Sequence, residues 1–255
     1  MGMAPTLAGV DGCKAGWIMV RHEGDDPPTT AVFPVFAELI ATLPDDAIVA
    51  VDMPIGLPET CGRSGRGPEI LVRPLLGARQ SSVFAIPSRA AIYAEADAFT
   101  DIETWYAAHR RASLVARATS DPPRGVSIQA FGLFARIREI DALLIARPDL
   151  RTRIFESHPE VAFWRLNGGR AMQLPKKIKG AVNPSGMEER KALLGRCGYD
   201  RAFLDMPPPR GAGTDDFLDA TAMAAIARRI ADGDAVSFPD PPMKDGLGVP
   251  IAIWA

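Results

Sequence analysis

Residues 47–52, AIVAVD, form an unbroken apolar run closed by a carboxylate and followed at once by Met53-Pro54. Such a run without polar alternation is the pattern of a strand buried on both faces, as in sheets covered by helices on each side. What precedes it narrows the choice. Within residues 6–37, TLAGV, GWIMVR and TTAVFPVF read as three short strands, and the Gly, Asp and Pro turns between them make them antiparallel neighbours. FAELIATL then has helical spacing and stops at Pro44-Asp45-Asp46. A helix leading from an antiparallel meander to a buried strand calls for a crossover onto a parallel strand, so the expected core is an α/β fold with a mixed sheet.

Beyond Leu57 the composition changes. To about Arg89 the chain is rich in Gly, Pro, Ser and Arg, which favours loops and marks the start of an insertion. Two amphipathic helices are predicted near 98–118 and 128–146, the second with Phe131, Phe134, Ile137 and Ile140 at helical intervals. Strand character resumes in RIFES, 153–157. Ser185 with Glu188 reads as a capping box opening a helix that ends near Gly198. A last helix is expected from a Thr214 N-cap through TDDFLDATAMAAIARRIADG, with acids early, arginines late and a terminal glycine. The tail GVPIAIWA reads as an edge strand or an arm.

The 255 residues suffice for one large domain, here taken as residues 1–255 with an insertion at about 57–150. The start, MGMAPT, runs into LAGVDG without the basic-then-apolar plan of a signal peptide, and no 18-residue apolar run occurs; the expectation is a cytoplasmic protein with no membrane contact. Cys13, Cys61 and Cys197 lie far apart and in odd number, which fits reduced thiols rather than a disulfide framework or a zinc site. With 29 basic against 31 acidic residues the net charge is −2, so any nucleic-acid contact must be local. Two stretches offer the charge: Arg63, Arg66, Arg73, Arg79 and Arg89, and then Arg165, Arg170, Lys176, Lys177 and Lys179. Solvated loops with counter-charges elsewhere are the equal alternative. Oligomeric state is left open.

Asp219 is the most informative acid, because from Phe217 to Ala227 its helix is otherwise uncharged and dominated by Ala, Met, Leu and Ile. A carboxylate on a helix that packs so deeply is costly unless it is paired, protonated or coordinated. Asp216 lies one turn earlier on the same face. The competing reading has Asp215 and Asp216 complementing the helix dipole while Asp219 meets an arginine. Asp11 stands in an apolar strand before Gly12, whose missing side chain lets another group approach, and Asp52 ends the AIVAV strand. Strand ends of open α/β sheets are where ligands collect, so both acids are expected to open into one crevice. Glu156, on the later strand, is either a ligand or a salt-bridge partner; His158 follows it. Clustered oxygen donors without thiolates suit Mg2+ or Mn2+. GRSGR fails the G-x-S-x-G pattern, and neither a P-loop nor G-x-G-x-x-G after a strand is present.

GVDGCKAGW, VAVDMPIGLPE, LGARQSSVFAIPSRAAI, FESHPEVAFWRLNG and DDFLDATAMA together resemble domain-of-unknown-function family 429, the predicted RNase H-like nucleases, over nearly the whole chain. The resemblance implies a ribonuclease H-like mixed five-stranded sheet flanked by helices, with the insertion after the fourth strand. It also implies that Asp11, Asp52, Glu156, Asp216 and Asp219 fall where related nucleases place catalytic, metal-binding carboxylates. The DxxDA spacing is similar to that of Holliday-junction resolvases. CGRSGRG lacks the acid the resemblance leads one to expect there. Arg79, Ser81 and Arg89 either grip a phosphate or tie the insertion to the sheet.

The leading functional expectation is a metal-dependent nuclease acting on DNA or RNA, with Lys176 or Lys177 near the scissile phosphate. A second is a nucleotide-binding phosphotransferase of the actin-like or sugar-kinase type, whose fold normally repeats its core. A third is a non-catalytic module that binds nucleic acid or a partner.

Overall fold

A computed structural model describes residues 5–95 and 99–255. Its centre is a five-stranded sheet built from β1 (Leu7–Cys13), β2 (Gly16–His22), β3 (Thr29–Phe33), β4 (Ile48–Val51) and β5 (Ile154–Glu156), in the order β3-β2-β1-β4-β5. β1, β2 and β3 form an antiparallel meander, whereas β4 and β5 add to β1 in parallel. The mixed sheet with helices on both faces is the α/β arrangement expected, and it is consistent with a ribonuclease H-like fold.

Pleat parity divides the core in two. Ala8, Val10, Val49, Val51 and Ile154 point to one face, where α1 (Phe36–Ala41), α2 (Ile102–Ala118) and α3 (Phe134–Ala146) cover them. Leu7, Ala50, Ile18 and Val20 point to the other, under α4 (Pro159–Leu166), α5 (Pro184–Arg196) and α6 (Thr214–Ala231). α6 lies directly on β1. A Cβ on Gly9 would come within 2.0 Å of the Ala224 nitrogen and 2.1 Å of the Ala220 carbonyl, so only glycine permits this approach.

The chain ends in a hairpin of β6 (Ser237–Lys244) and β7 (Pro250–Trp254), separate from the main sheet. The hairpin is tied to the end of β5 by a bridge from Ser157 to Trp254. GVPIAIWA is thus a paired strand and not a loose arm.

Several local expectations are corrected. The 128–146 helix is two pieces, Ile128–Phe131 and α3, interrupted at Gly132-Leu133. Of the helix expected from about 98, position 98 lies outside the described residues, and α2 begins at Ile102 behind an Asp101–Thr104 capping box. Ser185 and Glu188 form no capping box: Asn183 is the N-cap of α5, and Glu188 instead pairs with Arg201. Thr214 is the first residue of α6, not its cap. Gly213 occupies the cap, and its N–H donates to Asp216 Oδ2 at 2.8 Å. In both helices the actual cap is the residue whose backbone is extended, a property the side-chain pattern does not carry. Cys13 and Cys61 are buried, Cys197 is exposed, and all three are free. No described helix is long and apolar enough to cross a membrane.

Candidate metal centre

The register explains why Asp11 and Asp52 meet. Val10 and Val51 are the last paired residues of β1 and β4, and the Asp52 N–H donates to the Val10 carbonyl at 2.9 Å. The next residue of each strand is an aspartate, and parity turns both toward the α6 face. Gly9 seats α6 so closely on β1 that the preceding turn of the helix brings Asp219 to the same place. One carboxylate oxygen from each of Asp11, Asp52 and Asp219 lies within 4.8 Å of the others. Asp11 and Asp219 are buried, and Asp52 is the more open.

Three acids so placed resist ionisation. Burial, and then the Asp52 and Asp219 charges, raise Asp11 well above the ordinary aspartate range. Burial with the Asp219 charge pushes Asp52 up to about 7. Burial outweighs the neighbouring ammonium of Lys176 and lifts Asp219 to about 6. That ammonium is hydrogen-bonded to Asp219 Oδ2, while Asp219 Oδ1 is buried without a partner among the described residues. Burial works against the charge of Lys176, but Asp219 and Asp52 prevail and hold it firmly protonated.

Glu156 does not join them. It pairs with Val51, so the pleat turns it away from the Asp11–Asp52–Asp219 cluster, although it still lines the same cavity as Asp11 and Asp52. There its Oε1 accepts from Arg66 Nη2 at 2.6 Å and its Oε2 from the Ile55 N–H at 2.7 Å. Burial pushes it to about 7 despite Arg66. Of the two readings left open for Glu156, the salt bridge is the one observed. Asp216 is spent on capping α6.

Stability follows from these directions. A carboxyl whose folded pKa is raised binds its proton more tightly in the native state, so its contribution is present at low pH and is lost as pH rises through the folded value. In metal-free protein, stability is therefore expected to decline from about pH 4 to about pH 7 through Asp52, Asp219 and Glu156. His158, lowered by burial to about 4, and His22, also lowered by burial, oppose them, but Asp11 and Asp216 are raised as well and act with the three acids. Denaturant titrations across that window should show the fall. A flat or rising profile would mean that these acids ionise freely in the native state.

Asp11 and Asp52, together with Glu156, line a cavity of about 270 Å3 at the carboxyl ends of the central strands, and Lys176 links it to Asp219. Ser82, Val83, Phe84 and Ile86 line it from the connection between β4 and β5, as do Leu133 and Arg136, and Ile253 lines it from the C-terminal hairpin. The cations in its lining are Arg66, Arg136 and Lys176. Arg66 lies between Glu156 and Glu69 and also donates to the Ile55 and Gly56 carbonyls. Arg136 Nη2 donates to the Cys13 carbonyl at 2.6 Å. Its side chain fills the space beside Gly12, where a Cβ would meet it at 2.9 Å. His158 Nδ1 accepts from the Glu160 N–H, which leaves its proton on Nε2, toward the Ser82 carbonyl.

The other expected substrate contacts are placed elsewhere. Arg89 is held by the buried Asp141 and Asp245, where it ties the connection to α3 and to the turn before β7. Arg79 and Ser81 sit on the irregular helical run Arg73–Ser82 but outside the cavity lining. Lys177 is an exposed partner of Asp215 at 2.6 Å. Sequence reasoning missed Arg136 and the part played by Arg66. Gly12 was the available signal for Arg136, since it announced a close neighbour without naming it.

No curated protein and no solved structure matches the chain. A family model described as "Protein of unknown function (DUF429)" matches residues 9–244, from β1 through the last residue of β6, so the chain belongs to that family.

Proposed function

We propose that the protein is a metal-dependent phosphodiesterase acting on nucleic acid, with Asp11, Asp52 and Asp219 as ligands for Mg2+ or Mn2+. The observation that carries this reading is the convergence of three carboxylates from β1, the end of β4 and α6 within 4.8 Å. The buried, partnerless Asp219 Oδ1 adds to it. An all-oxygen donor set of this kind suits a hard divalent ion. When bound, such an ion supplies a nucleophile at neutral pH and neutralises charge during in-line phosphodiester cleavage.

The chain's own groups supply the rest. Lys176 pairs with Asp219, and in this reading it turns to a phosphate when the acids take a metal. Arg136, next to Asp11, offers a second cation. Glu156 and Arg66 hold the loop after β4 in place, so that Asp52 keeps its position. A phosphotransferase of the actin-like kind is disfavoured, because among the described residues there is one five-stranded sheet and not the repeated core of that fold.

The test is a manganese-dependent cleavage screen over single-stranded, duplex, branched and hybrid nucleic acids. Asp11→Asn serves as the control for contaminating nucleases. Activity shared equally by parent and variant, or absent on every substrate, would overturn the proposal.

Metal binding has its own readout. An ion that binds only the folded state adds about 2.7 kcal/mol at one hundred times its dissociation constant. For a chain of this size that is a rise of about 5–10 °C in Tm. The Asp219→Asn protein should lose most of that rise. Asp149→Asn should keep it, because Asp149 is an exposed partner of Arg147. An unchanged response in Asp219→Asn would remove Asp219 from the ligand set.

A further inference from the structure

We infer that the site accepts one phosphorylated unit at a time, a phosphodiester of about one nucleotide's bulk presented at a free end, and excludes intact duplex. This rests on the phosphodiesterase reading and narrows it. Three independent features point the same way.

The first is size. A volume of about 270 Å3 falls just below the usual range of cavities that take small molecules, about 300–1,000 Å3. It matches a single nucleotide and not a run of base pairs. Phe84 and Leu133 from the connection between β4 and β5, and Ile253 from the C-terminal hairpin, line the same cavity as Asp11 and Asp52, so a substrate seated in it lies against both acids and these apolar side chains.

The second is charge. Duplex carries one negative charge per roughly 1.7 Å of axis, and its binders neutralise several phosphates with an extended row of Lys and Arg. Here the cavity's cations are Arg66, Arg136 and Lys176, each engaged with a protein group: Arg66 with Glu156 and Glu69, Arg136 with Cys13, Lys176 with Asp219. They suit one phosphate. The chain as a whole carries a net charge of −2.

The third is the apolar part of the lining. Val83, Phe84, Ile86 and Leu133 are apolar, and Phe84 is only half-buried, so its ring is the candidate surface for a base. An aromatic face beside a phosphate-binding group is the usual means of holding an unpaired base, because every base has a π-face whatever its sequence. A base still paired in a duplex cannot offer that face.

Four probes test this with the full chain in manganese: a p-nitrophenyl ester of thymidine 5′-phosphate, a linear single strand, the same strand closed into a circle, and a duplex of that sequence capped by hairpins at both ends. The expected result is hydrolysis of the ester, end-wise shortening of the linear strand, or both. Rates on the circle and on the capped duplex should be at least about 100-fold lower. Hydrolysis of the ester alone assigns a small molecule as substrate, and shortening of the linear strand assigns strand ends; each supports the inference. Cleavage of the circle or the capped duplex at the linear rate overturns it while leaving the phosphodiesterase reading intact. No hydrolysis of any probe overturns both.

Binding gives a readout independent of turnover. Thymidine 5′-monophosphate, titrated calorimetrically, should bind the parent and bind Phe84→Leu about tenfold more weakly, since leucine keeps the apolar bulk and loses the ring. An equal affinity in Phe84→Leu, with the fold intact by circular dichroism, would remove the stacking contact and with it the third argument.

Discussion

Replacing Asp11 by Asn is expected to lower metal-dependent kcat/KM by on the order of 10³-fold, about 4 kcal/mol of transition-state stabilisation, without unfolding the protein. The fold should survive because burial and the two neighbouring aspartates already favour the uncharged form of Asp11 in the metal-free state. Asparagine imitates that form closely. Its Oδ1 can still accept the Gly12 N–H, which donates to Asp11 Oδ1 at 2.6 Å. The chemistry should fail for the same reason, since a neutral amide contributes one oxygen and no charge where a divalent ion needs an anionic donor. Steady-state kinetics and melting curves on one preparation decide the matter. A Tm equal to or above that of the parent, with activity lost, is the expected pair. Retention of a tenth of the activity with an unchanged metal requirement would place the reaction elsewhere.

Arg66→Met is expected to cost about 3–5 kcal/mol of stability, which for a chain of this length is roughly 6–20 °C in Tm. Arg66 is among the most enclosed cations of the molecule. Its side chain is 1% exposed, its Nε binds Glu69 at 2.9 Å, and its Nη2 binds Glu156 at 2.6 Å. Methionine fills much of the same volume but leaves both carboxyl groups buried without a cation, and it leaves the Ile55 and Gly56 carbonyls short of a donor. The loss should shrink at low pH, where Glu156, pushed up to about 7 by burial, is protonated, and should be partly reversed by adding Glu156→Gln. A double-mutant cycle in denaturant measures that coupling. Additive single effects would show that Arg66 and Glu156 do not depend on each other and that the pair is not what anchors the loop after β4.

The elements of the sheet were legible in the sequence because each rests on short-range physics. AIVAVD reads as a doubly buried strand, the meander reads from its turn residues, and the helix between them forces a crossover. The candidate acids could be named for a similar reason: Asp219 is conspicuous on an otherwise apolar helix, and Asp52 ends a strand whose C-terminal end lies where ligands gather. Helix caps were read less well. Ser185 and Thr214 have the right side chains for capping, but the cap is set by which residue keeps an extended backbone, and that is decided by how the preceding loop is anchored.

What only the tertiary structure decided is which carboxylates share a face and which cations reach them. Asp52 and Glu156 both stand at strand ends and line one cavity, yet the register pairs Glu156 with Val51 and so keeps its carboxylate out of the acidic cluster. A one-residue difference in parity separates a member of the acidic cluster from the partner of a buried arginine, and nothing in FES states the register. Arg89, Arg79, Arg66 and Lys176 could not be ranked, and Arg136 could not be singled out, for the same reason. Long side chains on loops take partners from distant segments: Asp141 and Asp245 claimed Arg89, Glu69 and Glu156 claimed Arg66, and Asp219 claimed Lys176. Sequence patterns carry local periodicity and turn chemistry, whereas the approach of charges from segments far apart is fixed only when the chain has packed.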